Sequence, residues 1–112
     1  MIVTPEQAER MYLMLCSFYP FKKWHLPNTG CIQFIITDEE DCFGSYEYDG
    51  EMHIVTLSRA KCHHYETWLK TLCHEMIHMK RYKTHDWDKH DAIFRRYAAQ
   101  IAKEFNFDPL EL

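Results

Sequence analysis

The sequence predicts a small α+β domain with one hydrophobic core, and three observations lead to this prediction. The chain has 112 residues, of which 46% are hydrophobic, which suits a single domain over residues 1–112. Apolar residues recur at helical spacing over residues 5–18, 65–82 and 88–107. Between the first two of these stretches, short apolar runs are separated by turn residues, as is typical of strands. The expected order is therefore helix, three strands, helix, helix.

The first helix is expected over residues 5–18. Thr4 and Gln7 have the spacing of a capping box, and Pro5 occupies the first helical position, where its missing N–H is not needed. One side of this helix carries the apolar residues that we expect in the core, namely Ala8, Met11, Tyr12, Leu15 and Phe18.

The three strands are expected over residues 31–37, 43–48 and 52–57. Asp49-Gly50 lies between the second and the third and is the strongest hairpin signal in the chain. A strand at the edge of a sheet can pair with an extended peptide. The hairpin is therefore either a shelf for a peptide substrate or simply a cover for the core.

The helix over residues 65–82 contains the motif H-E-x-x-H, which runs from His74 to His78. Its two histidines lie about 40° apart on the helix surface, so both can bind one metal ion from the same side. Glu75 lies beside them and is placed to act as a general base toward a water molecule at the metal. The apolar residues Trp68, Leu69, Leu72, Met76 and Met79 lie almost opposite, so we expect one side of the helix in the core and the other on a cleft.

A catalytic zinc site usually has a third protein ligand, and several candidates follow the motif. His90 falls on the inward face of the helix expected over residues 88–107, in its first turn, where a helix N-terminus favours neutral imidazole. His85 in the preceding connection is the main competitor, and Glu104 is a weaker one because it lies near the far end of the helix. The metzincin pattern fails, since Arg81 and Thr84 stand where it requires Gly and His.

Taken together, residues 73–78 and 89–94 resemble the SprT-like (Spartan-type) zinc metallopeptidase domain, in which Phe follows the third histidine by four residues. The resemblance covers roughly residues 29–105 and implies a zincin-like fold. It also implies that His74, His78 and His90 bind Zn²⁺ and that Glu75 is the catalytic base. The expected activity is hydrolysis of peptide bonds in protein substrates.

The chain departs from that family in two respects. No cysteine follows Cys73, so a minimal form without the C-terminal zinc ribbon is expected. Lys89 and Asp91 flank the third histidine, where eukaryotic members commonly have Gly. A role in the repair of DNA–protein crosslinks is therefore not implied.

Two alternatives stay open. The chain could be a zinc-stabilised protein-binding module, for example of a virus or mobile element, with little or no hydrolysis. It could also be a deformylase-type metallohydrolase, because Gly30-Cys31 precedes the motif as in that family. The Gly-rich first motif of deformylases is absent, however, and Ile32-Gln33 stands where they have Leu-Ser.

Charge is unevenly distributed in this chain of net charge −4, since residues 59–103 hold ten Lys and Arg against five Asp and Glu. Four of these cations gather around the connection between the last two helices. They could contact nucleic acid or an acidic substrate, although such a group is more often a solvated surface. The four are Lys80, Arg81, Lys83 and Lys89.

Targeting signals are not apparent. The sequence has no apolar run of twenty residues and no signal peptide, so we expect a cytoplasmic protein without membrane contact. Five cysteines, an odd number without a C-x-x-C pair, indicate reduced thiols. They are Cys16, Cys31, Cys42, Cys62 and Cys73.

Overall fold

The computed structural model describes residues 3–62 and 64–112, and over this part of the chain three α-helices accompany a three-stranded sheet. The predicted fold class and the predicted order of elements are confirmed. The helices are α1 (Pro5–Cys16), α2 (Tyr65–Lys80) and α3 (Ala92–Phe105), and the strands are β1 (Ile32–Thr37), β2 (Gly44–Tyr48) and β3 (His53–Ser58). None of the described helices is long and apolar enough to cross a membrane.

The sheet has the order β1-β3-β2, with β3 in the centre. β2 and β3 form the predicted antiparallel hairpin, in which Tyr48 lies opposite His53. Gly50 in the turn has a φ of 97°. The Asp49 carboxylate accepts hydrogen bonds from the main-chain N–H groups of Glu51 and Met52. β1 runs parallel to β3, with Ile32 opposite His53. β2 is therefore an edge strand.

Helix α1 begins as predicted and ends earlier. Thr4 accepts a hydrogen bond from the Gln7 N–H at 3.2 Å, and the Gln7 side chain accepts one from the Thr4 N–H at 3.1 Å. The last helical residue is Cys16, and both the N–H and the hydroxyl of the next residue, Ser17, donate to the main-chain oxygen of Met14. Phe18 was expected in the core but lies beyond the helix and is exposed, whereas the other four predicted residues are buried.

Helix α2 contacts β2, β3 and both other helices. Its predicted apolar side is buried, with Leu72 and Met76 fully inaccessible, except that Leu69 is only partly buried. Cys73 and Ile77 are also fully buried, so the helix is enclosed more completely than a two-sided amphipathic pattern indicates. The functional side chains of α2 are therefore carried on a tightly packed element.

Helix α3 is shorter than predicted, because it begins at Ala92 rather than near residue 88. The carboxylate of Asp91 accepts a hydrogen bond from the Phe94 N–H at 3.0 Å and caps the helix. His90 thus precedes the cap and does not lie in the first helical turn, which corrects the sequence-based placement. At the other end, Asn106 adopts a left-handed conformation with a φ of 60°. Residues 107–112 then return toward α2 and include a single 3₁₀ turn (Pro109–Glu111).

Candidate metal centre

Three histidines converge at one end of the α2–α3 pair. His74 and His78 project from α2, and His90 comes from the connection before α3. Their Nε2 atoms are separated by 3.3 Å (His74 to His78), 3.2 Å (His78 to His90) and 3.0 Å (His74 to His90). Nitrogen ligands about 2.0–2.1 Å from a tetrahedral zinc ion lie about 3.3 Å from one another. The donor set can hold a metal ion, and zinc is compatible with its size.

Main-chain oxygens fix the protonation of two of these rings. Nδ1 of His78 lies 2.7 Å from the main-chain oxygen of Trp87, and Nδ1 of His74 lies 2.9 Å from that of Leu112. Because a carbonyl oxygen can only accept, each Nδ1 must carry the proton and donate it. Each Nε2 then bears a lone pair that points at the other histidines. Facing lone pairs repel one another unless a cation lies between them.

Burial reinforces the neutral state of the same two rings. It lowers the pKa of His74 to about 4, and it also lowers the pKa of His78 below the usual value. A metal ion therefore does not have to displace a proton from either Nε2 at neutral pH.

Phe94 forms the floor of the histidine cluster. Its ring centroid lies 4.9 Å from that of His74, 5.0 Å from that of His78 and 4.7 Å from that of His90. Phe94 is fully buried and is fixed in the first turn of α3. An apolar floor of this kind excludes water from one side of the imidazoles and limits their rotation.

Glu75 lies next to the histidines and is only 5% exposed. Burial raises the pKa of its carboxyl group to about 8 in the metal-free chain. A nearby cation would favour the ionised form and lower that pKa again. The group thus has the environment of a carboxylate whose proton affinity can be matched to neutral pH.

A cavity of about 600 Å³ borders His74 and Glu75. One wall is the start of β2, where Gly44 allows the strand to pack closely on both β3 and α2, since a Cβ there would lie 2.6 Å from the main-chain oxygen of Thr56 and 3.0 Å from Cγ2 of Thr71. The other walls come from α2 and from the 3₁₀ turn after α3, and the residues that line them include Thr67, Lys70, Thr71, Glu111 and Leu112. The cavity therefore offers space for a ligand beside His74 and Glu75.

An ion pair joins the end of α2 to the start of α3. Arg81 is 4% exposed, and its two Nη atoms each lie 2.8 Å from a carboxylate oxygen of Asp91. Arg81 also donates to the main-chain oxygen of Lys89 at 3.1 Å. The hydrogen bonds that the Asp91 carboxylate accepts from Arg81, and from the Phe94 N–H, lower its pKa to about 2. The two flanks of His90 are thereby tied to α2.

The competing ligands predicted from the sequence are not brought to this point. Within residues 3–62 and 64–112, the group of neighbouring potential ligands consists of His74, His78 and His90. His85 and Glu104 are outside it, and Cys31 is exposed in a 3₁₀ turn before β1. Whether the three histidines bind a metal stays a prediction.

Several of the cations predicted to form a basic rim have partners. Arg81 is buried against Asp91, and Lys89 lies 2.9 Å from Asp86. Lys80 donates to the main-chain oxygen of Trp24 at 3.3 Å. Contact with nucleic acid stays a prediction, and the structure gives these side chains local roles.

Sequence reasoning missed the main-chain oxygens of Trp87 and Leu112. A main-chain oxygen has no residue signature, so no spacing rule points to it. Phe94 did carry a signal, since it follows His90 by four residues.

A family model described as the SprT-like family matches residues 14–111, which include the three histidines, Glu75 and Phe94. No curated protein matches the chain.

Proposed function

Since the chain belongs to the SprT-like family, we propose that it is a zinc-dependent metallopeptidase that hydrolyses peptide bonds in protein substrates. One observation carries the proposal. Three Nε2 atoms lie within 3.0–3.3 Å of one another beside a buried carboxylate and an open cavity. A metal that only stabilised the fold would need neither the carboxylate nor the cavity.

We infer that His74, His78 and His90 would hold the metal, beside the cavity that His74 and Glu75 line. Three histidine ligands with one open position are typical of catalytic rather than structural zinc. Zinc held in this way supplies Lewis-acid chemistry, which activates water and polarises a carbonyl group. The main-chain oxygens of Trp87 and Leu112 orient two of the rings for this task.

Glu75 is proposed as the general base. Its carboxylate takes a proton from the attacking water and returns it to the leaving nitrogen as the peptide bond breaks. A base with a pKa near the working pH performs both transfers, because it neither holds the proton too weakly nor too strongly. The burial that raises the pKa of Glu75 supports this role.

The edge strand β2 is proposed as the shelf for the substrate. β2 pairs with β3 on one side, and the cavity begins at its first residue, Gly44. An extended peptide that added a strand to β2 would pass beside Glu75 and the histidines. This places unfolded or extended segments of proteins among the expected substrates.

Glu75→Gln separates hydrolysis from metal binding. We expect the wild type to cleave an unfolded protein in a reaction that a chelator stops. Glu75→Gln should keep about one zinc per chain and lose roughly a thousandfold in kcat. Glu104→Gln, an exposed position on α3, is the matched control and should change neither zinc content nor rate. Elemental analysis and a fluorescent peptide library measure the two quantities.

The ligand set is tested by the same elemental analysis. His90→Ala should lose the zinc, whereas His85→Ala should keep it. A zinc-loaded wild type that cleaves nothing in the library, or a Glu75→Gln variant with full biological activity, would favour the protein-binding module instead. A well-folded wild type that takes up no zinc would refute both readings.

A further inference from the structure

We propose that residues 107–112, here called the terminal segment, form part of the metal centre by positioning His74. The inference rests on the zinc site of the proposed function but not on hydrolysis. Its central observation is the 2.9 Å contact between Nδ1 of His74 and the main-chain oxygen of Leu112. His78 donates the equivalent hydrogen bond to the main-chain oxygen of Trp87, which lies within the connection that also carries His90. His74 is thus oriented by a segment 38 residues away in sequence.

The end of α3 directs the terminal segment back to α2. Asn106 takes the left-handed conformation that ends the helix, and the Phe107 N–H donates to the main-chain oxygen of Ala102 at 2.9 Å. The Phe107 ring stacks on that of Phe105, with centroids 5.9 Å apart. Asp108 then caps the following 3₁₀ turn by accepting from the Leu110 N–H at 2.9 Å. Local structure therefore specifies the return path.

Three side chains of the terminal segment hold it against the rest of the domain. The Leu112 side chain is 5% exposed, so it anchors the last residue in the core, whereas Leu110 is 83% exposed. Lys70 of α2 forms ion pairs with Glu111 and with Glu66, and its Nζ lies 5.4 Å from the centroid of the Phe107 ring. The side chain of Lys70 is 13% exposed, so this contact is partly shielded from solvent.

The chemical effect of the segment is on the ring of His74. Because the Leu112 oxygen can only accept, it selects the tautomer in which Nε2 carries the lone pair. It also holds the ring so that its Nε2 lies 3.3 Å from that of His78 and 3.0 Å from that of His90. Loss of such an outer partner typically weakens metal binding about 10- to 100-fold.

The test compares two leucines of the same segment. Leu112→Ala removes the buried anchor and should weaken zinc binding at least about 10-fold, measured by competition with a chromogenic chelator. Leu110→Ala removes the same atoms from an exposed side chain and should leave the zinc Kd unchanged. Leu112→Ile keeps an apolar anchor and should restore most of the affinity. Glu111→Gln leaves the anchor in place, weakens the contact with Lys70 and should shift the Kd in the same direction by less.

A merely structural role is distinguished by NMR of the imidazole nitrogens in the metal-free protein. Wild type should show His74 protonated at Nδ1, and Leu112→Ala should show a mixture of tautomers. A Leu112→Ala variant that melts earlier but keeps the wild-type zinc Kd and the wild-type His74 spectrum would overturn the proposal. Neither measurement uses hydrolysis, so absent peptidase activity would count against the proposed function alone.

Discussion

His53 is a buried histidine outside the metal centre. It lies on β3, is 4% exposed, and its Nδ1 lies 2.6 Å from the Tyr46 hydroxyl. The rings of Tyr48 and Tyr82 each have their centroid 4.6 Å from that of His53. Burial lowers the pKa of His53 and raises the pKa of Tyr46, so the neutral phenol donates to the neutral imidazole. The aromatic surroundings leave no room for solvent to stabilise a charge.

His53 should make the stability of the metal-free protein depend on pH. Because its folded-state pKa is below 6.5, the unfolded chain binds a proton that the folded chain does not as the pH falls below that value. The contribution is fully present above about pH 6.5 and is lost as the pH falls toward the lowered pKa. His53→Asn, which retains an acceptor for Tyr46, should reduce the slope by up to about 1.4 kcal/mol per pH unit.

Urea denaturation of both chelator-treated proteins between pH 7 and 5 measures that slope. His85→Asn is the control, since His85 is exposed in the connection before α3. Identical slopes in wild type and His53→Asn would show that the two states of the protein bind protons equally at this residue.

The residues of the site differ in how far sequence could predict them. His74, Glu75 and His78 follow from helical spacing alone, because residues one turn apart share a face. His90 is not fixed by spacing, since the eleven residues between α2 and α3 could also have presented His85, and the preference for His90 came largely from the family resemblance. The Leu112 oxygen could not be predicted, because its position depends on the whole path of α3 and the terminal segment.

At the scale of elements, the ends of helices decided where the functional groups lie. The sequence predicted all three helices, but α3 began later than its apolar pattern because Asp91 caps it. Ile32, Phe34 and Ile36 alternate along β1, and all three pack into or against the core. The parallel pairing of β1 with β3 was not predictable, since no turn joins these strands and only tertiary packing selects the partner.

The ion pair between Arg81 and Asp91 should contribute more to the free energy of unfolding than an exposed ion pair would, because Arg81 is buried. Arg81→Met fills similar space but leaves Asp91 and the Lys89 oxygen without the guanidinium donors. We expect a loss of about 2 kcal/mol in the free energy of unfolding. Zinc binding should also weaken, because His90 lies between the two residues that Arg81 holds.

Lys83→Met is the matched control for that change. Lys83 is exposed in the same connection, so its replacement should alter the free energy of unfolding by no more than about 0.5 kcal/mol. Chemical denaturation in the presence of a chelator gives the stability, and chelator competition gives the zinc Kd. Equal stability of the two variants would mean that the Arg81 pair contributes nothing net.

At the scale of the whole molecule, the hydrophobic core is continuous and meets the histidine cluster at Phe94. Its largest buried side chains come from every helix and strand β3, including Tyr12, Leu57, Met76 and Phe94. A protein with such a core should stay folded without metal, unlike small domains that depend on bound zinc to fold. The proposed metal would add a link between α2 and the connection before α3.

Removal of zinc should therefore lower the melting temperature without unfolding the protein at 25 °C. Zinc at about a thousandfold above its Kd stabilises the folded state by about 4 kcal/mol, which corresponds to roughly 15 °C for a domain of this size. Thermal melts with and without a chelator measure the shift, and His90→Ala should show almost none. A chelator-treated wild type that is unfolded at room temperature would contradict this expectation.

Leu112 of the terminal segment both borders the cavity and accepts the hydrogen bond from His74. If a peptide in the cavity moves that residue, it changes the affinity of the histidines for zinc, and thermodynamic linkage requires zinc to change the affinity for the peptide by the same factor. Zinc titrations with and without peptide, and peptide titrations with and without zinc, must then give one coupling constant. The zinc affinity would then depend on the length of the bound peptide. A peptide that extends past Leu112 and a peptide that ends before it would give different zinc affinities.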